Sequence, residues 1–306
     1  MKFIYFSSNP YEKKRFARLL FSIALVTIGF LAVNDALVKG LAFASSNSNM
    51  YRMCRLFGES HKEVAIIGSS RAETNFAPSA IGDHVFNYGL SGSAQGETLI
   101  HLKALLRRES NQTIIVNLDP WGLGGLDSVR GDYRLVKSAL LSEANRKKPV
   151  RWDDRMPGFR FYGKLRTVLA DWLNARRGGT KTIDHGAILQ RLSRTKDEWA
   201  HMIERCKPMR FCCNESVRIE YEHVLQGEHP PVIFVVSPIS KPWYERWEDQ
   251  GKLSELLTRL ASFPNTTVID MCTPNIDSYD LAEFMDLTHL NEKGARRFSR
   301  EMKDRL

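Results

Sequence analysis

Three short stretches hold residues whose types and order could do chemistry. The first is Gly68-Ser69-Ser70-Arg71, directly after the apolar run Val64-Ala65-Ile66-Ile67. The second is the glycine-rich stretch from Asn87 through Gly89 to Gly92. The third is Asp286-Leu287-Thr288-His289, just before the last helical pattern of the chain. A serine hydroxyl is a weak nucleophile until a base takes its proton. Histidine serves as that base when a carboxylate holds its other ring nitrogen. A D-x-x-H spacing on one loop lets Asp286 reach one imidazole nitrogen while the other faces a serine. The oxyanion formed on attack needs preorganised N–H donors, and a glycine loop brings backbone close enough to supply one. Acyl transfer is the chemistry these residues suit. Each stretch has a plainer reading as well. Gly-Ser-Ser after a strand is a common turn or helix cap, and a lone D-x-x-H is often a surface pair. The glycine stretch lacks the G-x-G-x-x-G order of a dinucleotide fingerprint, and no P-loop lysine follows it. The weight lies in the three occurring together and in this order.

These residues need elements to position them. Residues 63–68, 84–89, 113–119, 230–238 and 266–271 read as strands from their apolar and β-branched runs. Between and after them, residues 96–109, 251–263 and 291–306 have helical spacing, the first through Leu99, Leu102, Leu105 and Leu106. Strands alternating with helices imply βαβ units and a parallel sheet covered on both faces. With right-handed crossovers the expected fold is α/β, a three-layer α/β/α sandwich on a doubly wound sheet. Ligands of such sheets bind beyond the carboxyl ends of the strands, which puts the loops after Ile67, Tyr88, Leu118 and Val236 on one rim. The Pro120–Pro230 connection is about a hundred residues, far longer than a crossover requires. Residues 135–144, 163–177, 185–206 and 215–226 within it read as helical, so a helical insertion at about 121–230 is expected on that rim, as a lid or partner surface. His101, His185, His201 and His223 fall on helical patterns, where packing or solvation is the default. Trp243, Tyr244 and Trp247 suit either stacking on a sugar or packing of a loop, and packing is the favoured reading.

The N-terminus sets the compartment. A basic cluster at residues 13–18 precedes an uncharged apolar run from Leu19 to Val33, continued by 36–44. The run is about the length of a membrane span, roughly 20 residues. The charge order predicts a cytoplasmic N-terminus and an exported remainder. Ala42-Phe43-Ala44 before Ser45 is a small-x-small site of the kind signal peptidase cuts, but the length of the run favours an uncleaved anchor over 1–44. Residues 45–61 begin Ser/Asn-rich and read as a linker, and 62–306 as the α/β domain. The net charge of +9 is scattered in pairs rather than gathered on an aromatic-laced face. That pattern argues against nucleic acid and suits an anionic envelope or membrane surface. Of the five cysteines, Cys206, Cys212 and Cys213 are the obvious place for a local disulfide in an oxidising compartment, with plain packing as the alternative. As a zinc site the cluster lacks a second ligand pair.

The three chemical stretches resemble the sequence blocks of the SGNH/GDSL hydrolase superfamily, over roughly residues 62–120 and 230–305. In that family a G-x-S after the first strand carries the nucleophile, which here implies Ser70 rather than Ser69. An N-x-x-x-S-G block lends an oxyanion N–H, implying Gly92 beside the Ser70 N–H. The final D-x-x-H implies Asp286 and His289. The third block departs from the family: its oxyanion asparagine has no clear match in Asn117-Leu118-Asp119-Pro120-Trp121, where Asn117 comes early and Trp121 falls near the expected place. Arg71, Asn117 and Trp121 are therefore the further candidates for substrate contact, with Arg71 equally suited to a structural pair. The Gly-Ser-Ser-Arg form and the anchor are similar to the envelope-acylation branch, which includes alginate and cellulose O-acetylation proteins and the D-alanyl transfer protein of teichoic-acid modification. The resemblance implies a serine O-acyltransferase or esterase on an envelope polysaccharide, working beside a membrane-bound O-acyltransferase, with no cofactor and no metal. The rival expectations are a free-standing carbohydrate esterase, a non-catalytic glycan-binding or scaffold relative, and a membrane protein with a coincidental motif.

Overall fold

The β-branched runs and leucine-spaced segments form a mixed α/β fold around one central parallel sheet. The computed structural model describes residues 10–43, 49–58, 64–106, 112–123, 166, 169–170, 173, 181–273 and 277–306. In chain order its elements begin with α1 (Pro10–Phe43), α2 (Asn49–Gly58), β1 (Val64–Ile67), α3 (Ser70–Asn75), α4 (Pro78–Ile81), β2 (Val85–Asn87), α5 (Gln95–Leu106), β3 (Ile114–Asn117) and β4 (Gly122–Leu123). They continue with β5 (Lys181–Asp184), β6 (Ala187–Gln190), α6 (Lys196–Glu204), β7 (Cys212–Cys213), α7 (Glu215–Leu225) and β8 (Val232–Val236). The last are α8 (Lys241–Tyr244), α9 (Gln250–Ala261), β9 (Thr266–Asp270), a 3-10 turn at Leu281–Glu283 and α10 (Glu292–Lys303).

The sheet has the order β2-β1-β3-β8-β9, and every neighbouring pair in it is parallel. All residues of β3 and β8, and Ala65, Ile66 and Ile67 of β1, are buried. Burial of successive residues, which point to opposite faces, means that both faces are covered. Helix α5 lies against β1 and β3, with α7 packed on α5; α9 packs on β9, and α10 on α3 and α4. The chain runs outward from β1 to β2, then returns past β1 to β3. The strand order therefore reverses at β1/β3, and the loops after these two strands diverge to leave a crevice, the usual ligand position in such sheets. Ser70 follows β1 at this point, and Asp119 and Trp121 follow β3.

Helix α1 is the one described helix long and apolar enough to cross a membrane; within Pro10–Val38 its most apolar 18-residue stretch has mean hydropathy 2.2. Near its end Val38 is fully buried and Leu41 packs against the core beside α2.

Three expectations are corrected. The stretch read as a linker carries α2, whose Met53 and Leu56 enter the core. Its apolar residues recur three apart after the Ser/Asn-rich start, and that spacing is helical. Residues 185–190, read as helical, form instead the turn and second strand of the β5–β6 hairpin. His185 and Gly186 both have positive φ, 41° and 89°, the signature of a two-residue type I′ turn. The hairpin tip abuts edge strand β2, where the Asn87 N–H donates to the His185 carbonyl at 2.8 Å, so it shields that edge. A side chain on Gly186 would fall 2.2 Å from the Asn87 carbonyl. Finally, of the two cysteine readings the disulfide is overturned: Cys206, Cys212, Cys213 and Cys272 are free thiols, and Cys212 and Cys213 lie in β7, paired through backbone with β4. Of the remaining helical expectations in the insertion, 215–226 is α7, 196–204 is α6, and the described residues Arg166, Leu169, Ala170 and Leu173 are helical. Residues 135–144 lie outside the described residues.

Candidate active site

The turn from β1 into α3 separates the two serines by function. Gly68 bends there with φ +149°, and a Cβ on it would fall 2.8 Å from that of Ala72 and 3.0 Å from the Asn117 carbonyl. Only glycine fits so close a crossing of strand, helix and neighbouring strand. Ser69 then occupies the N-cap of α3: its Oγ accepts the Arg71 N–H at 3.3 Å and donates to Asp119 Oδ1 at 2.9 Å. Ser70 is the first residue of the helix, and its Oγ lies 2.8 Å from His289 Nε2. The Ser69 hydroxyl is engaged in structure, whereas that of Ser70 faces a base.

The loop before α10 delivers that base. Asp286 Oδ1 accepts the N–H groups of Thr288 at 2.8 Å and His289 at 2.9 Å, an Asx-type turn that folds the loop back on itself. Its Oδ2 lies 2.8 Å from His289 Nδ1. The four-residue spacing thus brings Asp286, His289 and Ser70 into one hydrogen-bonded chain. Burial alone would push the Asp286 carboxyl up. The His289 hydrogen bond and charge and the two backbone N–H groups outweigh it, and Asp286 sits below its ordinary value. It is ionised at neutral pH and holds the imidazole in the tautomer whose Nε2 can accept the Ser70 proton.

The glycine-rich stretch after β2 runs beside the nucleophile turn. The Tyr88 N–H donates to the Ile66 carbonyl at 2.7 Å and the Leu90 N–H to the Gly68 carbonyl at 3.0 Å. Asn87, fully buried, donates from Nδ2 to the Ala72 carbonyl at 2.6 Å and accepts the Gly89 N–H at 2.8 Å. Gly89 packs so tightly on α3 that a Cβ would fall 2.4 Å from the Glu73 nitrogen. The Ser93 N–H then closes a turn onto the Leu90 carbonyl at 3.0 Å, with Gly92 at the third position and φ +78°. This is a type II turn, which requires positive φ there. Gly92 stands exposed at the rim. The Ser70 N–H, at the first position of a helix, has no intrahelical acceptor.

The remaining candidates fall differently. Arg71 is fully buried; its Nε donates to the Thr288 carbonyl at 3.2 Å, and Nη2 to the carbonyls of Pro238 at 3.1 Å and Ser237. Nη1 is 3.9 Å from Asp119 Oδ1. Burial pushes this guanidinium below its ordinary value against the pull of Asp119. Its contacts are those of a structural pair and not of a group presented to substrate. Asn117 ends β3, with both amide atoms buried and without a hydrogen-bond partner. Trp121 is half-buried, with the Arg71 guanidinium 5.5 Å from its ring and Trp243 set edge-on at 5.7 Å. Trp243 and Trp247 are buried and pack on each other, and Tyr244 on Trp247.

Sequence reasoning missed Asn75, Gln95, Asp119 and Ser237, which join the hydrogen-bond network linked to the nucleophile turn and the base loop. Asp119 is buried, and burial pushes its carboxyl up against Arg71, Gln95 and Ser69. Its place two residues past a rim strand end was the available signal for it. Asn75 bonds the Ser237 hydroxyl and accepts the Leu290 N–H, and the Ser237 carbonyl accepts from Arg71, long-range contacts that no sequence pattern marks. No protein-family model matches this chain, and no curated protein matches it.

Proposed function

We propose that this chain is a membrane-anchored, extracytoplasmic serine O-acyltransferase or esterase with an SGNH-like α/β/α sandwich, acting on an envelope polysaccharide through an acyl-serine intermediate. The observation that carries the reading is the Ser70–His289–Asp286 chain, 2.8 Å at each link, at the strand-order reversal of a parallel sheet. The apolar helix α1 supports the anchor.

In this reading His289 Nε2 takes the Ser70 proton as Oγ attacks the donor's acyl carbon. The oxyanion is held by the Ser70 and Gly92 N–H groups. Collapse expels the donor's leaving group, which takes the proton from His289, and leaves the acyl ester on Ser70. A polymer hydroxyl then gives its proton to His289 and attacks the ester, restoring Ser70. Water in place of that hydroxyl makes the same site an esterase. Asp286 stabilises the imidazolium in both halves. A membrane-bound O-acyltransferase is the partner that would bring an acyl group to a site outside the membrane.

The test is active-site labelling of the full chain, in membranes and in detergent, with a fluorophosphonate probe, read by intact mass. One adduct on the parent and none on Ser70→Ala is the expected result. No adduct in either preparation of a folded protein overturns the catalytic reading. With a labelled serine in hand, incubation with an activated acyl ester and a soluble glycan separates the two outcomes. Acylated glycan marks a transferase, and free acid alone an esterase.

A further inference from the structure

We propose that Arg71 and Asn75 are positioning residues that hold the backbone on both sides of His289, so that the helix bearing the nucleophile also sets the place of its base. The inference rests on the acyl-transfer reading of the site. Arg71 Nε donates to the carbonyl of Thr288, the residue before His289, at 3.2 Å. Asn75 Oδ1 accepts the N–H of Leu290, the residue after it, at 2.9 Å. Arg71 and Asn75 are four apart in α3 and so share one face of it. Both are fully buried, and both continue to the loop after β8: Arg71 to the Ser237 and Pro238 carbonyls, Asn75 Nδ2 to Ser237 Oγ at 2.9 Å.

The chemistry gives this arrangement a purpose. A buried guanidinium is costly unless its donors are met; here carbonyls of two separate loops take Nε and Nη2, while Nη1 is left with the Asp119 charge at 3.9 Å. Asp286 orients the imidazole ring and tightens its own turn, but it belongs to the same loop as His289. It cannot fix that loop relative to Ser70. Contacts from α3, which carries Ser70, do so directly. A displacement of about 1 Å between reacting groups costs on the order of 10²-fold in rate, so a grip from the nucleophile's own helix controls the 2.8 Å Ser70–His289 contact.

The test uses the full chain in detergent and two readouts. The first is hydrogen exchange of the segment 284–291 in the parent, Ser70→Ala, Arg71→Met and Asn75→Ala. Faster exchange there is expected for the last two and not for Ser70→Ala. The second is the rate of fluorophosphonate labelling, expected to fall about 10²-fold in Asn75→Ala, with no further fall when Asn75→Ala is added to the slow His289→Ala background. A residue that merely stabilises the fold would slow both backgrounds by the same factor. Unchanged exchange in Asn75→Ala, or equal slowing on the two backgrounds, overturns the proposal. Asn75→Ala removes no charge and carries the test if Arg71→Met does not fold. If the parent serine takes no label, the acyl-transfer reading falls, while the exchange readout still decides whether these residues hold the loop.

Discussion

Ser69 and Ser70 are chemically identical neighbours that the β1–α3 turn gives opposite tasks. Ser69 caps the helix and donates to Asp119; Ser70 meets His289. Ser69→Ala should therefore cost about 1 kcal/mol of stability, the usual worth of an N-cap, and leave Ser70 labelling within a few-fold of the parent. His289→Ala should reduce labelling to a slow residue with the fold intact. Equal losses at both serines would contradict the assignment. Asp286→Asn turns an amide toward the Nδ1 of His289, favours the wrong tautomer, and should slow labelling by roughly 10³–10⁴-fold with little change in melting temperature. The carboxyl of Asp286 lies below its ordinary value of 3.8. A depressed carboxyl contributes stability above its unfolded value and loses it as the pH falls through the folded one. Thermal melts of the parent and Asp286→Ala should thus differ by a constant amount down to about pH 4 and converge only below it. Convergence well above pH 4 would mean that the His289–Asp286 pair does not form.

At the scale of elements, α3 is where the site is assembled. It touches the base loop through Arg71 and Asn75, the glycine loop through Ala72 and Glu73, and α2 through a buried ion pair of Glu73 with Arg52. Arg52 also donates to the Gly186 carbonyl at the tip of the β5–β6 hairpin, at 2.8 Å. Breaking a buried pair from one side strands the other charge, at about 3–5 kcal/mol. Arg52→Met should therefore lower the denaturation midpoint sharply, and the paired change Arg52→Met with Glu73→Leu should recover much of the loss. A version beginning at residue 60 should behave like Arg52→Met or worse, whereas one beginning at Ser45 keeps α2. Urea melts of the four proteins would settle the ranking. Equal midpoints for the Ser45 and residue-60 versions would remove α2 from the folded unit.

For the whole molecule, the question is how α1 joins the α/β fold. The most apolar 18-residue stretch of α1 shows no burial within the protein, whereas Val38 at its end is fully buried and Leu41 packs on the core. The helix is thus apolar where a bilayer would surround it and is docked at its other end. The full chain should fractionate with membranes and resist carbonate extraction, while the version from Ser45 should be soluble. Removing the docked end should also cost a few kcal/mol, since fully burying one large aliphatic side chain is worth about 1.5–3 kcal/mol. A soluble full chain would exclude the anchor.

Much of this was legible because it is encoded locally. The apolar runs of β1, β3 and β8, the leucine spacing of α5 and α9, and the length of the N-terminal apolar run are properties of a few consecutive residues, and each gave its element. The D-x-x-H turn is equally local, since Asp286 bonds residues two and three positions on. The hairpin at 181–190 was misread because the two-residue His185-Gly186 turn is an uncommon spelling of a positive-φ pair, and four-residue strands hold too few residues to separate period 2 from period 3.6. Helix α2 was hidden by its Ser/Asn-rich approach. The resemblance implied Ser70; what only the tertiary structure decided is that its hydroxyl meets His289, 219 positions away, and that Arg71 turns inward. Those outcomes depend on carbonyls of Thr288, Ser237 and Pro238 brought within reach by packing. A backbone carbonyl is the same at every position, so no residue type in the sequence announces it as a partner.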